Sequence, residues 1–414
     1  LYFLLVLGIA FYWPTGELGI NKSNIQGVKI CQDESEIHFV KGKTISENLY
    51  DADKYQNGRN LKVILSSIAP QQDSCLSGFE TSIWYMGKHG LNWNKGFPAV
   101  DTGFSGYAGE AHTSICDRYG NLLFYTNNNE IYNSVHQVMD NGIIDSPFGF
   151  AGASSTMNLV LPQPGSDSLY WVFYPGQITD QTDTFAKKLR YAVIDMSQNG
   201  GLGKVIIKHQ ILMDTSSERV EGIRHCNGKD WWIIGQNAIT EQFNVWLLNQ
   251  NGLSLNGKMN SGVVNNIKPS FALVGYLKSS HSGALIAEAT GGYDEVNRIF
   301  LNSIELHRFD PASGTIYGGI QLSLNLFNEF IYGADFSSND TKLYFTSSKI
   351  WQIDLNVLDT TMINKSLVMI SDQLGRNTGS PVLGPDGRIY LTTFFDGSGY
   401  LYTINKPNEK GLAC

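Results

Sequence analysis

The sequence predicts an all-β fold: a β-propeller of about six or seven four-stranded blades, preceded by a small β-rich N-terminal lead-in. Three observations predict it. A polar turn followed by a short aromatic strand recurs along the chain. It occurs first in DRYGNLLFYTNNNEIYN (residues 117–133), then in SDSLYWVFYP, GKDWWIIGQN, SGALIAEAT, NDTKLYFTSS and DGRIYLTTFF. Successive copies stand roughly 45 to 60 residues apart, the period of a four-stranded blade, whereas a sandwich repeats only its turns, about every 8 to 12 residues. The composition agrees: 43 glycines, 12% aromatic and only 16% charged residues suit tight turns and buried strands, and no Ala/Glu/Lys/Leu-rich helical run appears.

Taken in order, residues 20–78 stand outside the repeat. VKICQ, EIHFV and LKVILSSI read as short strands of the lead-in. The acidic loop DADKYQNG (residues 51–58) fails as a calcium loop, because Tyr55 occupies an oxygen-ligand position and no Glu closes it; it reads as a solvated turn. From Phe79 the texture changes. SIWYMGKHGLNWNKGFPAV gives one aromatic strand and a Gly/Asn-rich turn, and AHTSICD then opens blade one. Blade two is TMNLVLP, LYWVFYP, LRYAVIDM and KHQILMD. Blade three is VEGIRHC, DWWIIGQ and FNVWLLNQNG. Blade four is FALVGYLK, ALIAEA, IELHRFDPASG and a strand near Ile320. Blade five is FIYGADFS, KLYFTS, KIWQIDL and SLVMIS, and blade six is GSPVLGP, RIYLTTF and YLYTIN. The DPASG and QNG turns link outer strands as hairpins, and NGGLG is a hairpin turn, since no helix follows it to make a phosphate cradle. Blade six lacks an outermost strand. Residues 82–86 are expected to supply it and so close the ring, leaving no exposed edge. A seventh blade would lie between residues 252 and 270 or upstream of Phe79.

The net charge of −8 and the lack of a basic stripe argue against nucleic acid or an anionic membrane surface as partner. The uncharged apolar run LYFLLVLGIAFYW is shorter than the span of about 20 residues a membrane helix needs, and resembles the core of an export signal. The expected division is therefore a signal-peptide remnant over 1–19, a lead-in over 20–78 and a propeller over 79–414, with no membrane span in the mature chain and a secreted or outer-surface location. Export allows disulfides. The five cysteines, Cys31, Cys75, Cys116, Cys226 and Cys414, have no metal-ligand spacing. Cys116 and Cys226 are expected to be buried apolar thiols beside inner strands; a pair among the other three would staple the ends.

Several segments, in order, carry a resemblance: IWYMGKHGLNWNKGFPAV, CDRYGNLLFYTNNNEIYNSVHQVMDNG, YAVIDMSQNGGLG, IRHCNGKDWWIIGQ, FSSNDTKLYFTSSKIWQIDL, LGPDGRIYLTT and INKPNEKGLAC. Together they resemble the N-terminal propeller region of large secreted Bacteroidetes surface proteins associated with gliding motility and type IX secretion. The resemblance covers residues 83–414 and implies a WD40-like or YVTN-like propeller at the front of a longer chain, with further C-terminal domains of the same polypeptide. The family supplies no catalytic residues to carry over.

The candidates for chemistry are polar residues on inner strands and their loops: Glu110, His112, Glu221, Arg224, His225 and Asp335. Glu221 and His225 are the best acid–base pair the sequence offers. The competing assignment has Glu221 paired with Arg224 and His225 bonded to the backbone of the next turn. Glu110, Asn158 and Asp335 are the residues that would hold calcium if the channel were lactonase-like; no other cofactor and no metal centre is expected. A Gly-x-Ser-x-Gly elbow is absent, as GFSGYAG is a residue short, and FSSNDTKLYF matches an Asp-box only in part. Trp84, Trp93, Trp171, Trp231, Trp232, Trp246 and Trp351 are expected to pack mainly between blades, with a carbohydrate-stacking platform as the alternative. The function expected is a non-catalytic exported interaction module that binds a glycan or a surface protein in adhesion; the alternative is a propeller hydrolase or lyase acting on a polysaccharide or lactone.

Overall fold

The computed structural model describes residues 26–30, 37–40 and 79–414, the last span except 87–88, 102, 105–111, 128, 145–157, 177–186, 239, 263–273, 295–298, 325, 327–328, 373–378 and 393–399. The export-signal reading, most of the lead-in, Cys31, Cys75 and Glu110 fall outside the described residues. The fold is all-β and propeller-like. Two strands lie in the lead-in, β1 (Gln26–Ile30) and β2 (Ile37–Val40). The first sheet after them holds β3 (Ile83–Met86), β4 (His89–Asn92) and β5 (Ala99–Asp101). The next is a four-stranded antiparallel meander, β6 (Thr113–Cys116), β7 (Leu122–Thr126), β8 (Glu130–Asn133) and β9 (Val138–Ile143). A third meander comprises β10 (Leu159–Pro162), β11 (Leu169–Gly176), β12 (Lys187–Asp195) and the long β13 (Lys204–Arg224).

The C-terminal part of β13 opens the following meander, with β14 (Trp231–Asn237), β15 (Gln242–Asn249) and β16 (Gly252–Asn260). Then come β17 (Val274–Ser279), β18 (Leu285–Asp294), β19 (Ile299–Asp310) and β20 (Thr315–Gln321). The next sheet is β21 (Ala334–Phe336), β22 (Lys342–Thr346), β23 (Ile350–Asp354) and β24 (Val368–Ser371). A single short α-helix among the described residues, α1 (Thr360–Lys365), precedes β24; Asp359 caps it by accepting from Met362 N at 2.9 Å. The last sheet is β25 (Val382–Leu383), β26 (Ile389–Thr392) and β27 (Tyr400–Ile404).

Apolar clusters join each sheet to the next, and every second strand explains why. Successive side chains of a strand point to opposite faces. In β7, Phe124 packs toward the β10–β13 meander and Tyr125 toward β3–β5. In β14, Trp231 packs back on β10–β13 and Trp232 forward on β17–β20. In β22, Phe345 packs on β17–β20 and Tyr344 on the last sheet. In β26, Ile389 and Leu391 face β21–β24, while Tyr390, with Leu401, meets Leu91 and Trp93 of the first sheet. That last cluster returns the end of the chain to its start. The two tryptophans of DWWIIGQ are thus buried between neighbouring sheets, as the sequence predicts, and Trp93, Trp171 and Trp246 are buried likewise.

First strands of successive sheets are also neighbours, β3 beside β6, β6 beside β10, and on through β13, β17, β21 and β25. The outer edges of two meanders are zipped as well. β9 meets β13 in parallel at Asp140 and Lys204, whose side chains form an ion pair at 3.0 Å. The resulting order, β10-β11-β12-β13-β9-β8-β7-β6, makes a nearly closed, barrel-like sheet.

Three expectations are corrected. Residues 82–86 do not complete the last sheet: β3 pairs with β4, and β4 with β5, in a sheet of their own. β27 instead takes β1 as its outer neighbour, Val28 opposite Leu401, and β2 follows β1. Residues 252–260 open no new unit, because β16 pairs along β15 as an outer strand. Cys226 is exposed, since it sits in the turn after β13 rather than on the strand; Cys116 is buried, and burial pushes its thiol up to about 12. Cys414 is a buried free thiol.

Candidate functional site

After the first sheet, the recurrent turn joins the first and second strands of each unit and recurs with one hydrogen bond. Gly120 N donates to Asp117 O, Ser166 N to Gln163 O, Gly228 N to His225 O and Gly283 N to Ser280 O. Asp340 N likewise donates to Ser337 O and Gly387 N to Gly384 O. Gly120, Gly228, Gly283 and Gly387 have positive φ, which glycine adopts without steric cost. Asp340 takes the same place at φ 59°, strained for a residue with a β-carbon, and its carboxylate explains the exception. Its oxygens accept from His281 N at 2.8 Å and Ser282 N at 2.9 Å, so one turn clamps its neighbour.

Beside the Ser280–Gly283 turn, the ends of the inner strands line an open cavity of about 260 Å³. Arg224, Lys278, Ser279, Ser280, His281 and Asp335 contribute to its wall. β21 places Asp335, buried at its centre, with both oxygens engaged: Phe336 N donates to Oδ1 and Leu383 N to Oδ2, each at 2.8 Å. Asp335 therefore rivets β21 to β25 while holding a negative charge near Lys278. That charge, and Glu221 behind it, raise the Lys278 ammonium above its ordinary value against the opposing effect of burial. Glu221 sits on β13 and accepts from Ser279 Oγ at 2.9 Å. Burial pushes its carboxyl up, and Lys278 and the Ser279 hydroxyl pull against that rise.

The structure brings together Glu221 and Asp335 among the candidates and adds Lys278, which the sequence did not single out. Arg224 lines the same cavity as Asp335 but faces away from Glu221, and the other candidates lie elsewhere. Arg224 and Glu221 are three residues apart on one strand and so point to opposite faces. Arg224 stacks over Trp231 at 4.1 Å and donates to Gly228 O at 3.0 Å, so Lys278, not Arg224, is the cation beside Glu221. His225 accepts from Asn227 N through Nδ1 at 3.0 Å and stacks on Trp232, which is the turn-capping role and not an acid–base pair with Glu221. His112 is partly buried just before β6. Asn158 is buried before β10, with neither amide atom hydrogen-bonded among the described residues.

A second polar cluster lies between the β13–β16 and β17–β20 sheets. Arg219 is fully buried and pairs with Glu288 Oε1 at 2.7 Å; Gln236 Nε2 donates to Glu288 Oε2 at 2.7 Å. Arg219 and the surrounding donors hold the Glu288 carboxyl down to about 2, against its burial.

The Asp340 clamp has a measurable consequence. Asp340→Ala is expected to lower stability by about 1–3 kcal/mol, the range for unmaking hydrogen bonds to a charged group. Its donors hold the carboxyl below its ordinary range despite burial. A depressed carboxylate stabilises the fold above its unfolded pKa and loses that share as pH falls through the folded value. Urea unfolding at pH 7 and pH 3 should therefore show a smaller acid loss in Asp340→Asn than in the parent; equal losses would refute the clamp.

No family model matches the chain, and no curated protein does. Among solved structures it is similar to a 6-phosphogluconolactonase candidate from Bacteroides uniformis, at 13% identity and a TM-score of 0.39, over 69% of this chain and 75% of that one. It is also similar to Kluyveromyces lactis Hsv2, at 12% identity and a TM-score of 0.38, over 76% and 87%. The third is TolB from Acinetobacter baumannii, at 13% identity and a TM-score of 0.32, over 69% and 63%.

Proposed function

We propose that residues 79–414, with β1 of the lead-in as the outer strand of the last sheet, form a seven-bladed propeller that serves an exported bacterial surface protein as a non-catalytic binding module for a glycan or a surface protein. The seven-blade count is supported by the succession of sheets and by the apolar clusters that join each to the next and the last to the first. The surface location, the association with gliding and type IX secretion, the adhesive role, the export signal over 1–19 and the further C-terminal domains rest on the order of the motifs and on the apolar N-terminal run.

The observation that carries the binding role is the cavity at the inner strands. Ser279, Ser280, Ser282 and Lys278 line it, Asp335 in its wall is engaged with backbone N–H groups, and Glu221, adjacent to the wall, is engaged with Ser279. Hydroxyls and a cation suit a polyhydroxylated ligand bearing an acidic group, such as a uronate-containing glycan. A second reading, hydrolysis or lyase action on a polysaccharide or lactone, is favoured by one feature: burial raises the Glu221 carboxyl, the shift that a general acid needs.

The test is a glycan panel that includes acidic polysaccharides, read with the full chain for binding and for product release. Binding without turnover, weakened about tenfold or more in Lys278→Gln, is the expected result, since a charge-assisted hydrogen bond is worth roughly that much. Turnover abolished in Glu221→Gln would establish the hydrolase instead. Binding left unchanged in Lys278→Gln would remove the ligand from this cavity.

A further inference from the structure

We propose that Glu288, Glu305 and His307 form a structural binding site for a divalent transition-metal ion of the zinc type. Strand geometry assembles them. Glu288 on β18 stands directly opposite Glu305 on β19. His307 follows Glu305 by two residues, so both point to one face. One ligand atom from each of the three lies within 4.8 Å of the others.

The histidine is presented as a ligand. Its Nδ1 lies 3.0 Å from Ser261 Oγ, which fixes the ring. Its Nε2 makes no well-formed hydrogen bond among the described residues, although the side chain is almost fully buried, and its one close polar neighbour is Glu288 Oε2 at 3.4 Å. That separation is long for a hydrogen bond. It is the edge of a tetrahedron whose corners stand about 2.0–2.1 Å from a central zinc, an edge of about 3.3–3.4 Å. Metal-bound histidines are held in this way, with the second ring nitrogen tied to a partner.

The surroundings complete the case. Gly262 has φ +92°, and a β-carbon there would collide with Glu305 Oε2 and lie 2.8 Å from His307 Cε1. The carboxylate and the ring thus close over one spot that only glycine leaves open. Gln236 and Thr290 donate to Glu288, and Ser303 donates to Glu305 at 3.3 Å, an outer shell that orients both carboxylates. Burial of all three residues removes substrate access, so the ion's role is to pin the face that Gln236, Ser261 and Arg219 of the preceding sheet pack against. Calcium fits poorly, because it takes six to eight oxygens or so.

The experiment uses the full chain, stripped with a chelator and dialysed against zinc. The expected result is one retained equivalent by elemental analysis, a thermal midpoint that climbs with the logarithm of zinc concentration, and visible tetrahedral bands when cobalt(II) replaces zinc. Glu305→Gln and His307→Gln should each lose that equivalent and the thermal response, while Ser261→Ala weakens retention about tenfold or more through the freed ring. A parent chain that retains no metal and shows no thermal shift overturns the proposal. So does equal retention in Glu305→Gln and His307→Gln.

Discussion

Arg219→Met, measured with a chelator present, is expected to destabilise the chain by about 3–5 kcal/mol, the cost of leaving one half of a buried ion pair alone. Arg219 is fully buried and Glu288 is 2% exposed, so water cannot take over the lost interaction. The guanidinium also reaches Thr290 Oγ1, and Thr290 donates to Glu288 Oε1 at 3.1 Å, so the substitution strips several contacts together. Removing both charges in Arg219→Met/Glu288→Gln should recover much of the loss, because no unpaired buried ion remains. The pH dependence separates this from a packing defect. In the parent, the Glu288 carboxyl is held down to about 2 from an ordinary 4.5. Its folded value is the lower, so its stabilisation is whole above about pH 4.5 and is lost as pH falls toward 2. Arg219→Met should be flatter through that window. Urea midpoints at intervals from pH 7 to pH 2 decide it: a full acid-sensitive slope in the variant, or a cost below about 1 kcal/mol, would mean that the pair does not hold this interface.

The repeat was legible because it rests on local signals. Turn residues, a left-handed glycine and an aromatic strand sit side by side in sequence, so DRYGN, GKDWW and DGRIY locate β7, β14 and β26 directly. The first sheet was not, because β4 and β5 are short strands, HGLN and AVD, without aromatic alternation; residues 82–86 alone looked like a strand in want of a sheet. Cys226 was misplaced by the same weakness at strand ends, where a shift of one or two residues moves a side chain from interface to turn. The polar clusters were illegible for another reason. Arg219 and Glu288 are 69 residues apart, and Asp335 and Leu383 are 48 apart. Only the packing of one sheet on the next brings them together. The one local hint was the two-residue spacing in ELH, which puts Glu305 and His307 on one face of β19 but says nothing of Glu288.

Trp232→Ala is expected to cost about 3–5 kcal/mol, the usual range for a large aromatic removed from a packed interior. The indole is 3% exposed and packs among Ile223, Leu277, Ile286 and Phe309, so the void opens between two sheets and neither can collapse alone. Gly314 is close enough that a β-carbon would stand 2.7 Å from the ring, a measure of how tightly the next sheet approaches. Trp231→Ala should cost a similar amount at the opposite interface, with Trp171 and Leu248 as its losers. The two sites diverge on phenylalanine. Trp232 Nε1 donates to Pro311 O at 2.8 Å, whereas Trp231 Nε1 is buried with no hydrogen bond. Trp232→Phe therefore forfeits a bond worth about 1 kcal/mol, and Trp231→Phe forfeits no hydrogen bond among the described residues, sheds an unsatisfied donor and keeps an aromatic face beneath Arg224. Trp231→Phe should be the milder change in urea unfolding. If Trp232→Ala proved nearly neutral, its face would not be packed on the following sheet, and the closed succession of sheets would fail at that interface. Loss at both sites with the phenylalanine order preserved would place the two faces of β14 against two different neighbours, the arrangement on which the ring depends.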